Sequence, residues 1–245
     1  MAEIYDLIKS SLEEDRLFAI ATVISGASLG KKALIFPDGA STGDLGVPAI
    51  NQQTIEHAMV LFKTLDSGKV TLTIDGEDTE IFIDVSPPKP KLVIIGAVHI
   101  AVPLIKYAKV LGFRTIIIDA RAAFATRERF PTVDELIIKW PSDALEEMSL
   151  DEGAYIVALT HDDKLDNPAL LVALQNPVRY IGALGSRKTH ANRLTALRAE
   201  GATEEQLVRI QAPIGLNLGA VGPQEVALSI MAEIIAVRHG VREKV

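Results

Sequence analysis

Between residues 92 and 212, short apolar runs alternate with segments whose apolar residues have helical spacing. Strands buried on both faces of a sheet read as continuous apolar runs, so this alternation predicts a parallel sheet covered by helices. With right-handed crossovers, six such strands favour the doubly wound order 3-2-1-4-5-6. We therefore predict an α/β fold with a Rossmann-like doubly wound parallel sheet. The predicted strands are LVIIG, TIIIDA, ELIIKW, YIVALT, RYIGALG and VRIQA.

A proline-rich connector precedes this region. The segment SPPKPK, residues 86–91, holds three prolines, which cannot continue a helix or occupy a central strand. The chain has 245 residues, which is long enough for two modest domains with cores of their own. We predict an N-terminal α+β domain at 1–86, a linker at 87–91 and the Rossmann-like domain at 92–245.

The residues before the connector indicate a mixed α+β domain. Apolar residues at helical spacing predict a first helix, and Pro48 predicts the start of a second one. A hairpin is predicted to close at Asp75-Gly76. The glycine-rich stretch at 26–46 is interpreted as turns, with Lys31 and Lys32 as an alternative anion contact at the seam between the domains. Strands are predicted at FAIATVIS, KALIFP, KVTLTID and TEIFIDV.

The first strand and helix of the second domain nearly carry a dinucleotide-binding fingerprint. Gly96 follows the first strand, and Asp119 ends the second, where an acid contacts ribose in dinucleotide-binding proteins. The second glycine of the fingerprint is replaced by Val98, whose side chain disfavours close approach of a pyrophosphate. Gly96 is equally explained by a tight turn. Asp119 is equally explained as a solvated strand end that Arg121 neutralises.

Polar residues follow the first and fourth strands at the same predicted edge of the sheet. These strands are neighbours in the predicted order, so their carboxyl ends should flank a crevice. His99 falls in the predicted first turn of a helix and is interpreted either as a ligand contact or as a packing residue. Thr160, His161 and Asp162 form either part of a ligand site or a capped turn.

The end of the fifth strand carries the chemistry of an anion site. Gly185, Ser186 and Arg187 offer backbone N–H groups, a hydroxyl group and a guanidinium group that can donate two hydrogen bonds to one anion. The alternative is a helix cap formed by Ser186 beside a solvated arginine. The complete set of predicted ligand-binding residues is Gly96, His99, Asp119, Arg121, Thr160, His161, Asp162, Gly185, Ser186, Arg187, Pro213 and Gly215.

Charge and cysteine content narrow the function classes. The formal net charge of −7 argues against nucleic acid as a partner, because phosphate binding needs a basic face. No apolar run reaches the length of a membrane span, and the first residues lack the order of a signal peptide, so a cytoplasmic protein without a membrane partner is expected. The absence of cysteine excludes disulfides and thiolate metal sites. The five histidines lack paired spacing, so no metal site is predicted.

Four long segments share their content, order and spacing with a known family. They are FATRERFP, THDDKLD, ALGSRKTHANRL and APIGLNLGAVGPQEVALSIMAEIIAVRHG. These segments resemble the xanthine dehydrogenase accessory family of the XdhC/CoxI type, and the match covers nearly all of residues 92–240. Residues 18–46 are more faintly similar to the N-terminal domain of that family.

The resemblance implies a maturation factor for molybdenum hydroxylases. Members of the family are implied to bind the molybdopterin cofactor, to protect it while its terminal sulfur ligand is installed, and to assist its insertion into the apoenzyme. This chain departs from the family pattern where a cysteine is replaced by Ala49 and the following acid by the amide Asn51. The glycine usual at position 98 is also absent. Any role of that cysteine therefore does not transfer to this chain.

Three functional hypotheses remain open on the sequence. The first is a non-catalytic carrier, in which a two-domain cleft or the seam of a homodimer would enclose the molybdenum cofactor or a related phosphorylated pterin or nucleotide. The alternative is an NAD(P)-dependent oxidoreductase with His161 or Asp162 as proton donor. Val98, which replaces the second glycine of the dinucleotide-binding fingerprint, argues against this alternative. A third is a protein that docks on a molybdenum hydroxylase apoenzyme without binding a small molecule. We favour the carrier, which is not an enzyme.

Overall fold

The computed structural model describes residues 2–74 and 76–241, with side chains described from residue 4 onwards. In this structure the chain divides into two compact units, Met1–Pro88 and Lys89–Val245. The hairpin turn predicted at Asp75-Gly76 includes a residue, Asp75, that lies outside the described residues. None of the helices in the described part of the chain has the length and apolar composition needed to cross a membrane.

The first unit is an α+β domain built on one antiparallel sheet. Its elements are α1 (Ala2–Glu13), β1 (Phe18–Ser25), β2 (Lys32–Ile35), β3 (Ser41–Gly43), α2 (Pro48–Thr64), β4 (Gly68–Ile74) and β5 (Glu77–Ser86). The five strands lie in the order β3-β2-β1-β5-β4. Ile4 and Leu7 of α1 pack against Phe18 on one face, and Phe62 of α2 packs with Ile81 on the other. The alternation of side chains along β1 thus supplies a core to both helices, while the buried residues of β5 face α2 alone.

Strand β3 corrects the interpretation of the glycine-rich stretch as turns alone. Three residues are too few to show alternation, so no sequence pattern predicts this strand. Gly43 is a strand residue with a φ of +114°, and a Cβ atom on it would lie 2.4 Å from the carbonyl oxygen of Lys32. The glycine therefore permits the pairing of β2 with β3, because any side chain would collide with the neighbouring backbone.

The second unit is a doubly wound α/β domain, as predicted. Its six strands are parallel and lie in the order β11-β10-β9-β6-β7-β8, which confirms the order 3-2-1-4-5-6 when read from the other edge. The elements are β6 (Lys91–Ile95), α3 (Ala101–Val110), β7 (Arg114–Ile118), β8 (Glu135–Ile137), α4 (Pro141–Glu146), β9 (Ala154–Ala158), α5 (Asp163–Leu174), β10 (Tyr180–Ala183), α6 (Arg187–Ala199), α7 (Glu204–Leu207), β11 (Ile210–Gln211) and α8 (Pro223–Arg238).

Helices cover both faces of this sheet. Leu104 of α3 and Ile230 of α8 belong to the core on one face, and Leu170 of α5 and Leu197 of α6 belong to the core on the other. The central strand β6 is buried throughout after its first residue, which explains its uninterrupted apolar sequence. Ile95 pairs in register with both Ile118 and Ala158, so the loops that follow β6, β7 and β9 begin at one edge of the sheet.

Candidate functional site

The turn after β6 is held close to the loop that follows β9. Gly96 has a φ of +111°, and a Cβ atom on it would lie 2.8 Å from Cγ2 of Thr160. Close packing and the positive φ thus account for this glycine. Val98 is half-buried against the core, and His99 is exposed in the turn that precedes α3. The prediction that His99 lies in the first helical turn is wrong, because α3 begins only at Ala101.

Asp119 is a buried carboxylate that accepts hydrogen bonds from the turn after β6 and from Arg121. Its Oδ2 accepts from the backbone N–H of Ala97 at 2.8 Å and from Nη2 of Arg121 at 2.7 Å. Its Oδ1 accepts from the backbone N–H and from Nε of Arg121 at 2.9 and 2.8 Å. Nη1 of Arg129 donates to the carbonyl oxygen of Ala97 at 3.0 Å, which fixes the same turn from the FATRERFP segment. Asp119 therefore orders the loop after β6.

The ionisation of Asp119 is favoured by these donors. Burial opposes the charged form, but the hydrogen bonds from Arg121 and Ala97 outweigh it and lower the pKa of Asp119 below its ordinary value of 3.8. The pKa of Arg121 is raised, first by its bond to Asp119 and also by the nearby carboxylates of Asp162 and Asp166. The structure thus brings together the predicted residues that follow β7 and β9.

We expect Asp119→Asn to destabilise the protein by about 1.5–3 kcal/mol at neutral pH, because a neutral amide replaces a charge-assisted acceptor. Since the folded-state pKa of Asp119 is lowered, its contribution is present above the unfolded value and is lost as the pH falls through the folded one. The melting temperature of the wild type should therefore drop below about pH 4 more steeply than that of the variant. Glu152→Gln, with a side chain 77% exposed, is the control. Equal acid sensitivity of Asp119→Asn and the wild type would contradict this account.

The loop after β9 is a capped turn with a polar interior. Asp162 caps α5 by accepting a hydrogen bond from the backbone N–H of Lys164 at 3.0 Å. Oγ1 of Thr160 accepts from the backbone N–H of Asp162 at 3.0 Å and donates to Oδ1 of Asp166 at 2.7 Å. His161 is exposed at the tip of the turn with a φ of 60°. The cap described as the alternative interpretation of this segment is present.

A buried ion pair beneath these loops was missed by the sequence interpretation. Oδ2 of Asp166 lies 3.6 Å from Nη2 of Arg193, and both side chains are fully buried. Nη2 of Arg193 also donates to the carbonyl oxygen of Leu184 at 3.3 Å. Burial raises the pKa of Asp166, and the hydrogen bond from Thr160 and the charge of Arg193 offset only part of that effect. The pair joins α5 with α6, and its hydrogen bonds extend to Thr160 and Leu184 in the loops that precede these helices.

The loop after β10 leads into a helix whose first turn is cationic. Oγ of Ser186 caps α6 by accepting from the backbone N–H of Thr189 at 3.1 Å. Arg187, the first residue of α6, is exposed, and Lys188 follows it. The first turn of α6 contains no acidic residue. Cations at a helix N-terminus add to the positive end of the helix dipole, so this turn favours a bound anion.

A cavity of about 450 Å³ lies next to this turn. Three predicted ligand-binding residues, Arg187, Pro213 and Gly215, are in its wall. A Cβ atom on Gly215 would lie 2.5 Å from Oγ of Ser229, so the backbone there runs close against α8. The lining residues are Leu184, Arg187, Pro213, Ile214, Gly215, Leu216, Asn217, Leu218, Gly219, Ala220, Val226, Ser229 and Glu233. The structure therefore places Gly96, Asp119, Arg121, Thr160 and Asp162 in or beside the Asp119 network, and Arg187, Pro213 and Gly215 in this cavity. Gly185 and Ser186 lie in the loop before α6, outside the cavity lining, and the exposed His99 and His161 belong to neither group.

Glu233 is a second residue that the sequence interpretation missed. It is 5% exposed, and it interrupts the otherwise apolar body of α8. An acid within the buried stripe of a helix is a signal that the sequence alone offers, because a buried carboxylate needs partners. These partners are the hydroxyl group of Tyr180 and the backbone N–H of Gly215.

In the first unit, the position of the family's cysteine lies at the start of α2. Ala49 is exposed there. Oδ1 of Asn51 accepts from the backbone N–H of Leu45 at 2.8 Å, and its Nδ2 donates to Oδ1 of Asp44 at 3.2 Å. Hydrogen bonds from Lys31, Gly46 and Asn51 lower the pKa of Asp44 to about 2. A carboxylate at position 51 could not donate a hydrogen bond to Asp44, whereas the amide of Asn51 can.

A doubly wound sheet with polar loops gathered at the carboxyl ends of its strands defines a Rossmann-type domain, a class whose ligands bind at that edge. Residues 92–234 match the family model described as the XdhC Rossmann domain. The chain belongs to this family, as its four sequence segments indicate.

Three relatives show how far the similarity extends. The uncharacterized protein YqeB of Escherichia coli K12 is 28% identical over an alignment of 247 positions, which covers 94% of this chain and 45% of that protein. A Bacillus subtilis 168 protein, named as a probable xanthine dehydrogenase subunit, is 35% identical over 67% of this chain and 48% of its own length. The molybdenum cofactor insertion chaperone PaoD of Escherichia coli K12 is 36% identical over 36% of this chain and 28% of its own length. This chain thus spans less than half of each relative.

A solved structure shares the fold. A Bacillus halodurans protein described as a xanthine dehydrogenase superposes with a TM-score of 0.57 and 20% sequence identity. The superposition covers 98% of this chain and 96% of that one. At this identity the likeness supports the architecture alone.

Proposed function

We propose that this protein is an accessory factor that binds the molybdenum cofactor, or a related phosphorylated pterin or nucleotide, and assists its insertion into a molybdenum hydroxylase apoenzyme. The observation that carries the proposal is the cavity beside α6, where the cationic first turn adjoins an apolar pocket. Membership in the XdhC family and the similarity to a molybdenum cofactor insertion chaperone support the same assignment.

The residues of the cavity fit the chemistry of such a ligand. A phosphate group needs N–H donors and a cation, which the first turn of α6 offers through its backbone and Arg187. A planar ring needs apolar walls, which Leu184, Ile214 and Val226 supply. The bound cofactor itself would supply the molybdenum chemistry that the client enzyme uses. The proposed role of this chain is to hold, orient and shield it.

The oxidoreductase alternative is not favoured. Val98 is packed where the second fingerprint glycine would stand, and the carboxylate of Asp119 is engaged by Ala97 and Arg121. A ribose hydroxyl would have to compete with those bonds. We therefore assign no catalytic step to His161 or Asp162.

Native mass spectrometry of the full chain, purified from a molybdate-fed host, tests the proposal. We expect retained mass that corresponds to a phosphorylated pterin, and the same spectrum reports whether the protein is a homodimer. Titration with NADH is the comparison. Sub-micromolar NADH affinity together with turnover of a small hydroxy or keto acid would overturn the proposal in favour of the oxidoreductase.

Arg187→Ala should weaken binding of a phosphorylated pterin by about tenfold to a hundredfold, because a charge-assisted hydrogen bond contributes roughly 1.5–3 kcal/mol. Its melting temperature should change little, since Arg187 is exposed. Ser186→Ala should show the opposite pattern, a loss of about 1 kcal/mol of stability from the removed cap. Calorimetric titration and thermal melts of both variants measure the two effects. Unaltered affinity in Arg187→Ala would remove this residue from the site.

A further inference from the structure

Glu233 has one carboxylate oxygen anchored and the other available. Oε2 accepts hydrogen bonds from the hydroxyl group of Tyr180 at 2.5 Å and from the backbone N–H of Gly215 at 2.9 Å. Burial and then the charge of Glu233 raise the pKa of Tyr180 well above 10, so its hydroxyl remains a donor at neutral pH. Oε1 accepts no hydrogen bond from any residue that the structure describes, and an oxygen of this kind has room for two donors.

The surroundings of Glu233 suit a flat, uncharged ring. Leu184, Ile214 and Val226 line the same cavity as Glu233, and its volume of about 450 Å³ lies in the range of small-molecule sites. The two bonds to Oε2 hold the carboxylate in one orientation, so the position of Oε1 is fixed before any ligand enters. A carboxylate oxygen that accepts from no protein group bonds water or a ligand, which makes a ligand with N–H donors its natural complement.

We propose that Glu233 recognises, through Oε1, the edge of a heterocycle on which an exocyclic amino group stands beside a ring N–H, as on the aminopyrimidinone ring of pterins and guanine. The inference rests on the proposed function, which it deepens by assigning the ring end of the ligand. Arg187, in the wall of the same cavity, would then face the phosphate end. Such an edge offers two parallel donors, and a site built to accept them discriminates against a ring that lacks one of them.

A neighbouring cavity of about 870 Å³ shares Glu233 in its wall but has a different character. Arg179 and Arg238 line it, and two guanidinium groups favour an anionic occupant over a neutral base. We therefore assign the heterocycle edge to the smaller cavity, where Arg187 is the one cation among the lining residues that the structure describes.

The test uses pterin and lumazine, two fluorescent rings that differ because lumazine carries a carbonyl oxygen in place of the amino group. We expect the full-length wild type to bind pterin more tightly than lumazine by about tenfold to a hundredfold. Glu233→Gln keeps an oxygen for Tyr180 and Gly215 but turns the free end from acceptor to donor. That variant should lose the preference for pterin. Its bonds to Tyr180 and Gly215 become weaker when the charge is removed, so a thermal melt checks that it remains folded at the titration temperature. Glu225→Gln, in the first turn of the same helix and outside the cavity lining, makes the same charge change as a control.

Hydroxymethylpterin and its phosphate ester separate this inference from the proposed function. If the phosphate ester binds more tightly and Arg187→Ala removes that gain, while Glu233→Gln retains the pterin preference, the proposed function stands and the role of Glu233 is overturned. If Glu233→Gln loses the preference but phosphate adds nothing, the role of Glu233 stands and the phosphate site fails. A wild type that binds none of these compounds would overturn both.

Discussion

Arg193→Leu is expected to lower the free energy of unfolding by about 3–5 kcal/mol, because it leaves the buried carboxylate of Asp166 without its cation. The loss should depend on pH. Burial already raises the pKa of Asp166, and removal of Arg193 should raise it further. A raised folded-state pKa favours the folded protein at low pH, and this advantage is lost as the pH rises through that pKa. The difference between variant and wild type should therefore be large at neutral pH and shrink in acid. Urea unfolding at several pH values measures it.

A double variant and a control at the protein surface show whether the unpaired charge of Asp166 causes the loss of stability. Arg193→Leu combined with Asp166→Asn should recover part of the stability, because the double variant no longer buries an unpaired charge. Arg198→Leu removes a cation from the same helix, but its side chain is 50% exposed and it pairs with Glu204 at the surface. We expect a much smaller effect there. Equal losses for the two arginines would contradict the role of burial.

Gly96→Ala is expected to cost about 2–6 kcal/mol, the sum of backbone strain at a positive φ and of overpacking against Thr160. The added Cβ would lie 2.8 Å from Cγ2 of Thr160 and 3.2 Å from its backbone nitrogen. Neither group is the free end of a flexible side chain, so the loop after β9 would have to shift. Denaturant unfolding of the purified variant gives the free energy directly.

Gly112→Ala separates the cost of backbone strain from the cost of the contact with Thr160. Gly112 has a φ of +80°, but nothing lies within 4 Å of a Cβ atom built on it, so the substitution should cost only the strain, about 1–3 kcal/mol. Thr160→Ser removes Cγ2 and keeps the hydroxyl group that bonds Asp166. In that background Gly96→Ala should be less costly. If Thr160→Ser gives no relief, the contact between the two loops does not limit this position.

The fold of the second unit could be predicted because its strands are buried on both faces. Continuous apolar runs and the handedness rule for crossovers favour the strand order that the structure has. The short strand β3 could not be predicted, because its stability comes from pairing with β2 and not from its own three residues. His99 was assigned to a helix that begins two residues later, at Ala101, for a similar reason, since the start of α3 depends on how the preceding turn packs.

The candidate site was predictable only in outline. Topology placed Arg187, Pro213 and Gly215 at one edge, and they do line a common cavity. The partners of Asp119 could be guessed from Arg121 two residues away, but the bond from Ala97 could not. The pair of Asp166 with Arg193 joins two different helices, and neither residue stands out from the polar positions around it. Such pairings depend on tertiary packing, which no local pattern encodes.

A continuous series of contacts ties together the loops after β6, β9 and β10. It runs from Gly96 to Thr160, from Thr160 to Asp166, from Asp166 to Arg193, and from Arg193 to the carbonyl oxygen of Leu184. This edge of the sheet is therefore preorganised. A ligand that binds there need not order the backbone, so little conformational entropy is lost and most of the binding free energy remains available for affinity. Free and loaded forms should accordingly have nearly the same backbone in these three loops, as expected for the proposed carrier.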